Sequence, residues 1–309
     1  MPFASTPLND GNKLPQIAFG TGSALYGRDA TDSVEQALDS GFWHIDTAAS
    51  EIYVDVRASA AYGNEASVGV AIRESGLKRE ELYITTKYDG GDIREEIEKS
   101  LKKLGTSYVD LYLIHFPQFV EGRFESAWVE FEKIKADGLA KSIGVSNFNV
   151  QDLQLLLKTA KIVPAVNQVN FNPYNYNENL PLLEYSAKHG IVTEAYSSLT
   201  PITKTPGGPV DKPVEQAAKR LGATPAQVIL SWVKSKGVVI VTTSSKKDRL
   251  KEYLEVADLP PLTAQEIAEI DAAGAKGPSS LSIRPLAPFA ISLAVLTLLY
   301  FTTHWSVVF

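Results

Sequence analysis

Short runs of β-branched, aromatic and aliphatic residues recur along the chain, each followed by a longer stretch whose apolar positions fall three and four apart. The runs are QIAFGTG (16–22), WHID (43–46), LYITTKY (82–88), YVDLYLIHF (108–116), AKSIGVSN (140–147), AVNQVN (165–170), IVTEAY (191–196) and GVVIVTT (237–243). Strand-like runs alternating with amphipathic stretches predict βα units around a parallel sheet, and eight of them predict an α/β fold closed as a (β/α)8 TIM barrel. The intervening stretches carry helix signals. In DKPVEQAAKRLG (211–222), Asp211 is placed to cap, Val214, Ala217, Ala218 and Leu221 share a face, and Gly222 ends the helix. In TPAQVILSWVKSKG (224–237), Thr224 caps, Pro225 takes the first turn, and Val228, Ile229 and Trp232 form the apolar stripe. LNDGNKLP (8–15), with its Asp10-Gly11 pair, predicts an N-terminal β-hairpin ahead of the barrel.

The pattern changes at the carboxyl end, where Pro285 to Phe309 contains no Asp, Glu, Lys or Arg. A C-terminal hydrophobic helix over Leu286–Phe309 would be about 36 Å long, enough for a hydrocarbon core of roughly 30 Å. The expected organisation is therefore a barrel over 1–278, a linker over 279–285 and a transmembrane tail anchor over 286–309, with Arg284 at its inner edge. A buried carboxy-terminal helix, or an aberrant tail from a mispredicted reading frame, is the alternative. The amino terminus, MPFASTPLNDGNKLP, lacks the basic and apolar regions of a signal peptide, so the barrel is expected to be cytoplasmic and attached to a membrane through its tail.

Composition narrows the chemistry. The 309 residues are 44% hydrophobic and 21% charged, a mixture able to bury one large core. A net charge of -6 disfavours a nucleic-acid partner and fits a small molecule better. The absence of cysteine excludes disulfides, thiolate nucleophiles and thiolate-bound zinc, and four scattered histidines give no reason to expect a metal. Two superficially attractive motifs fail. GTGSALYG (20–27) lacks the third glycine of a dinucleotide-binding loop, and no acidic residue follows a second strand as that fold requires. GVSNF (144–148) places Phe148 where a nucleophile elbow needs glycine.

Barrel enzymes carry their working residues at the carboxyl ends of strands. The runs here end on Asp46, Lys87, His115, Ser146 with Asn147, Gln168, Tyr196 and Ser244. A lysine buried at such a mouth needs a partner, and Asp46 is the obvious one.

These residues lie in phrases that resemble the aldo-keto reductases over roughly residues 8–273: GFWHIDTA (41–48), YGNEASVGVAI (62–72), ITTKY (84–88), LYLIHFP (111–117), IGVSNF (143–148), VNQV (166–169) and EAYSSL (194–199). The resemblance implies an NADPH-dependent oxidoreductase that reduces aldehydes or activated ketones by hydride transfer. It implies Tyr62 as proton donor, completed by Asp46, Lys87 and His115. Ser146, Asn147 and Gln168 would hold a nicotinamide carboxamide, and Tyr196 would stack on the ring. Gly22, Ser197, Leu199, Ser244, Ser245 and Arg249 complete the implied cofactor contacts, with Tyr26, Tyr88 and Phe116 around the substrate. In VTTSSKKDRLKEYL, Thr243 stands where the family places a lysine for the 2′-phosphate, which leaves NADH open beside NADPH.

The departure from the family lies between the aspartate and the tyrosine. The family phrase is D-T-A-x-x-Y, and removing Ala49–Ser59 restores it. The extra residues are either a loop at the barrel mouth or a retained short intron. Tyr53 lies within them, but Gly63, Asn64 and Glu65 follow Tyr62 as the family pattern requires. The alternative function is that of a cofactor-binding regulatory, or catalytically impaired, aldo-keto reductase-like protein.

Overall fold

The structure, a computed structural model, describes residues 3–22, 25, 27–49 and 63–278. A hairpin comes first, β1 (Ser5–Pro7) against β2 (Lys13–Pro15), antiparallel, with Gly11 at φ +88° in its turn. The first strand thus lies ahead of the LNDGNKLP phrase, which supplies the turn and the second strand. Then follow β3 (Ile17–Gly20), α1 (Thr31–Ser40), β4 (His44–Asp46), α2 (Glu65–Glu74), β5 (Tyr83–Tyr88), α3 (Ile93–Leu104), β6 (Val109–Ile114) and α4 (Phe124–Ala136). The second half runs β7 (Ala140–Ser146), α5 (Val150–Leu157), β8 (Val166–Asn170), α6 (Tyr176–Lys188), β9 (Val192–Tyr196), α7 (Thr200–Thr203), α8 (Asp211–Leu221), α9 (Pro225–Ser235), β10 (Val239–Thr242), α10 (Lys247–Leu254) and α11 (Ala264–Gly274).

Strands β3 to β10 form a closed parallel barrel in sequence order, with β10 pairing β3. Two apolar layers follow from strand alternation. Outward-facing residues such as Tyr88, Tyr112 and Ile114 pack under the helices, joined by Trp128, Phe131 and Trp232. Inward-facing Leu111, Leu113, Val166 and Val239 pack with Leu8 and Leu14 of the hairpin segment. The hairpin thus seals one end of the barrel, and the polar residues at the strand carboxyl ends are left to the other.

Local signals explain most helix ends. Thr224 Oγ1 accepts from the Gln227 N–H at 3.2 Å, and Gln227 Oε1 accepts from the Thr224 N–H at 3.0 Å, a reciprocal cap with Pro225 in the first turn. Gly222 closes α8 at φ +62°, where a side chain would be strained. Asp211 departs from expectation. It is the first residue of α8 and no cap, since Val210 precedes it with helical dihedrals, and its Oδ2 accepts from the Gly207 N–H at 2.6 Å. Gly69 is demanded by packing: a Cβ there would sit 2.3 Å from the Lys103 carbonyl oxygen, so α2 and α3 approach backbone to backbone.

The chain divides into Met1–Pro278 and Ser279–Phe309. The expected membrane attachment is corrected: among the described residues no helix is long and apolar enough to cross a membrane. The hydrophobic helix expected over 286–309 lies outside the described residues.

Candidate active site

Asp46 ends β4 and Lys87 lies one residue before the end of β5, so pairing of the two strands sets their side chains side by side at the barrel mouth. Lys87 Nζ donates to Asp46 Oδ1 at 2.6 Å and to the Thr47 carbonyl at 2.9 Å. The lysine and aspartate side chains are 0% and 1% exposed. Removing both charges from water is costly, and the short geometry with added hydrogen bonds is what makes the pair tolerable.

The other Asp46 oxygen binds Gln168. Gln168 Nε2 donates to Asp46 Oδ2 at 2.9 Å and to Glu194 Oε2 at 3.0 Å. With both amide hydrogens committed to carboxyl groups, Oε1 is the acceptor that Gln168 has left to offer. Glu194 is fully buried, and burial, followed by the nearby Asp46 charge, pushes its carboxyl up to about 8. It is therefore neutral at neutral pH, and the barrel interior is spared a second negative charge.

Asn147, just past β7, is held in a left-handed conformation at φ +62° by a dense set of bonds. Its N–H donates to the Gln168 carbonyl at 2.9 Å, its Nδ2 donates to the His115 carbonyl and to Ser146 Oγ, both at 3.0 Å, and its Oδ1 accepts from Tyr196 Oη at 2.7 Å. Ser146 Oγ donates to the Gln168 carbonyl at 2.8 Å. Among the described residues the other non-glycine residue with positive φ is Ser197, at +58°, on the same rim. Strained backbone over-determined by hydrogen bonds clusters at ligand sites. A primary carboxamide carries two N–H donors, and with the amide and hydroxyl hydrogens of Gln168, Asn147 and Ser146 already committed within the chain, Gln168 Oε1 and Asn147 Oδ1 are acceptors suited to meet them. The buried Ser198 Oγ, without a hydrogen-bond partner, adds an unsatisfied polar atom beside them. These residues fit a nicotinamide cofactor.

His115 follows β6, and its Nδ1 is hydrogen-bonded with Asp89 Oδ1. Phe116 is half-buried with its ring 4.7 Å from the imidazole. Tyr88, expected beside the substrate, is placed elsewhere. It stands on the outer face of β5, fully buried between Phe119 and Phe131, with its hydroxyl donating to the Gly91 carbonyl at 2.6 Å. Alternation explains this: Lys87 points into the barrel, so Tyr88 points out.

The chain around the extra residues is fastened on both sides. Ala49 is buried and its N–H donates to the Lys87 carbonyl at 3.1 Å. Asn64 Nδ2 donates to the Thr21 carbonyl at 2.9 Å, and its Oδ1 accepts from Thr21 Oγ1 and Thr47 Oγ1, both at 3.1 Å. Glu65 Oε1 accepts from Thr86 Oγ1 at 2.7 Å, and burial raises its carboxyl above the usual range. Tyr62 and Tyr26 lie outside the described residues, as do residues 50–61.

The remaining cofactor candidates occupy the same rim. Gly22 is buried just past β3, Leu199 precedes α7, and Ser244 and Ser245 form the turn before α10. Ser244 Oγ accepts from the Lys246 N–H at 3.1 Å, and Arg249 is exposed in the first turn of α10. Two neighbours of the candidate site residues, Asp89 and Glu194, are not singled out by the sequence. A signal existed for each: both stand an even number of residues along a strand from an inward-pointing site residue, Lys87 and Tyr196 respectively.

The Aldo/keto reductase family profile matches residues 16–275. The chain is 40% identical over 256 residues to the NAD/NADP-dependent indole-3-acetaldehyde reductase of Schizosaccharomyces pombe, covering 79% of this chain and 86% of that one. It is 37% identical over 291 residues to the NADPH-dependent alpha-keto amide reductase of Saccharomyces cerevisiae, covering 86% and 89%. The crystal structure of a Bombyx mori aldo-keto reductase in complex with NADP superposes with a TM-score of 0.74 at 32% identity, covering 87% of this chain and 92% of that one. This chain belongs to the aldo/keto reductase family, and it is an oxidoreductase that acts on carbonyl groups with NAD(P)H.

Proposed function

We propose that the chain reduces aldehydes and activated ketones with NADPH, using Tyr62 as proton donor. The observation that carries this reading is the dry Lys87–Asp46 pair at the barrel mouth, an expensive arrangement that packing alone would not require. Carbonyl reduction develops negative charge on oxygen, so a proton must be delivered as that charge forms. A free tyrosine, with a pKa of about 10, is a weak acid for the task, and an adjacent ammonium favours its phenolate form. Lys87 is that ammonium, and Asp46 holds it in place. Asn64, two residues after Tyr62 in the sequence, is tied to the ends of β3 and β4.

A bound nicotinamide cofactor supplies the hydride. Ser146, Asn147 and Gln168 bind its carboxamide and Tyr196 offers a ring face, while His115 orients the carbonyl oxygen. Arg249, with Lys246 and Lys247 at the start of α10, provides a cationic helix terminus suited to a 2′-phosphate, which favours NADPH. The names of the two yeast relatives support an aldehyde or activated-ketone substrate. Phe116 beside His115 supplies an aromatic wall.

The test is NADPH oxidation with aromatic aldehydes and α-keto amides, repeated with NADH. The expected result is turnover with a preference for NADPH. Tight cofactor binding without turnover on any of these carbonyls would replace the reading with a regulatory one.

A further inference from the structure

His115 is held by a carboxylate that the family phrase does not contain. Asp89 Oδ1 is hydrogen-bonded with His115 Nδ1, and the two side chains are 10% and 7% exposed. The other carboxyl oxygen, Oδ2, is buried without a hydrogen-bond partner. The contact is built from behind. Gly90 and Gly91 turn the chain at φ +117° and +87°, conformations that favour glycine. Tyr88 Oη fastens the turn through the Gly91 carbonyl, and Arg123 Nη2 donates to Tyr88 Oη at 2.6 Å and to the Phe119 carbonyl at 2.9 Å. On the histidine side, the His115 N–H donates to the Tyr88 carbonyl at 3.1 Å, and the His115 carbonyl accepts from Asn147 Nδ2. Both partners are therefore locked by backbone as well as by each other.

The geometry points to Asp89 as a positioning residue that fixes the tautomer of His115, so that every proton exchanged at this imidazole is exchanged at Nε2. A carboxylate only accepts, so Nδ1 must carry a proton whether the ring is neutral or cationic. The single nitrogen whose state changes is Nε2. This assignment rests on the reading of His115 as the group that meets the substrate oxygen. It also accounts for Tyr88, whose buried ring and hydroxyl serve to hold the turn that carries Asp89.

The test uses the full chain labelled with 15N-histidine, with the His115 signals identified by their loss in His115→Gln. The expected spectrum at alkaline pH shows a protonated Nδ1 and an unprotonated Nε2. Asp89→Asn, whose amide can donate to Nδ1, is expected to move the ring to the Nε2–H form. It should lower kcat by about ten- to a hundredfold, the usual cost of losing the partner that orients a functional histidine, with the Kd for NADPH unchanged. Asp89→Glu, which keeps the carboxylate, is expected to retain the Nδ1–H signature. An unprotonated Nδ1 in the parent chain would overturn the assignment without relying on any variant, as would a folded Asp89→Asn protein with kcat within about twofold of the parent. Tyr62→Phe separates this from the broader reading. If Tyr62→Phe is inactive while Asp89→Asn is not, the Asp89 assignment alone fails; if Tyr62→Phe stays active, the site reading fails with it.

Discussion

Lys87 Nζ stands 2.6 Å from Asp46 Oδ1 with neither side chain in contact with water. Replacing Lys87 by Met leaves the Asp46 carboxylate buried without its counter-charge, a loss of about 3–5 kcal/mol for a pair of this kind. Thermal unfolding should fall by roughly 6–12 °C, and carbonyl reduction by at least about 100-fold. Calorimetry beside steady-state kinetics checks both. An unchanged melting temperature would mean that the pair is not buried as described.

Glu194 sets a pH dependence of stability with a definite sign. Its carboxyl is raised from the ordinary 4.5 to about 8, chiefly by burial. Between those values the folded chain binds a proton that the unfolded chain has lost, so this group's contribution makes stability fall as pH rises through the window. Glu194→Gln removes the titration and keeps an oxygen acceptor for Gln168 Nε2. The variant should gain stability relative to the parent at pH 8 and show little difference at pH 5. Denaturant midpoints that differ equally at both pH values would contradict the assignment.

Arg249 tests the preference for phosphate. It is exposed in the first turn of α10, beside Lys246 and Lys247. Arg249→Ala should raise the KM for NADPH about tenfold or more, the effect of losing roughly 1.4 kcal/mol of charge-assisted bonding, and leave the KM for NADH almost unchanged. Equal effects on both cofactors would place the 2′-phosphate elsewhere.

Packing between α2 and α3 gives a prediction remote from the chemistry. A Cβ on Gly69 would meet the Lys103 carbonyl oxygen at 2.3 Å and the Leu104 backbone at 3.0 Å. Gly69→Ala, normally favourable in a helix, should instead destabilise by about 1–3 kcal/mol because backbone atoms have to part. Chemical denaturation measures the difference, and a stabilised variant would show that the helices have room to separate.

The barrel was legible because each strand is a compact apolar run with a polar residue at its end, and each helix has its own signals, as at Thr224 and Gly222. Asp211 was misread because an acidic residue before an apolar stripe looks like a cap, while Val210 already has helical dihedrals and the Asp211 side chain reaches back to the Gly207 N–H. The grouping of Asp46, Lys87, Gln168 and Asn147 at one barrel mouth was legible, because strand ends there coincide with the family phrases. The resemblance put Tyr88 around the substrate, although alternation places it on the face opposite Lys87. The same alternation brings Asp89 back to the side of Lys87. Glu194 was hidden in an apolar strand, and its neutral state depends on burial and on Asp46, neither of which a linear pattern displays.

The central claim is that Tyr62, and not Tyr53, donates the proton. The most direct measurement compares NADPH oxidation with an aromatic aldehyde in the full-length chain, Tyr62→Phe and Tyr53→Phe, with cofactor binding followed by fluorescence in all three. The account predicts that Tyr62→Phe binds NADPH normally and loses at least about 100-fold in kcat, while Tyr53→Phe retains the parent rate. Turnover surviving in Tyr62→Phe, or lost in Tyr53→Phe, would contradict it.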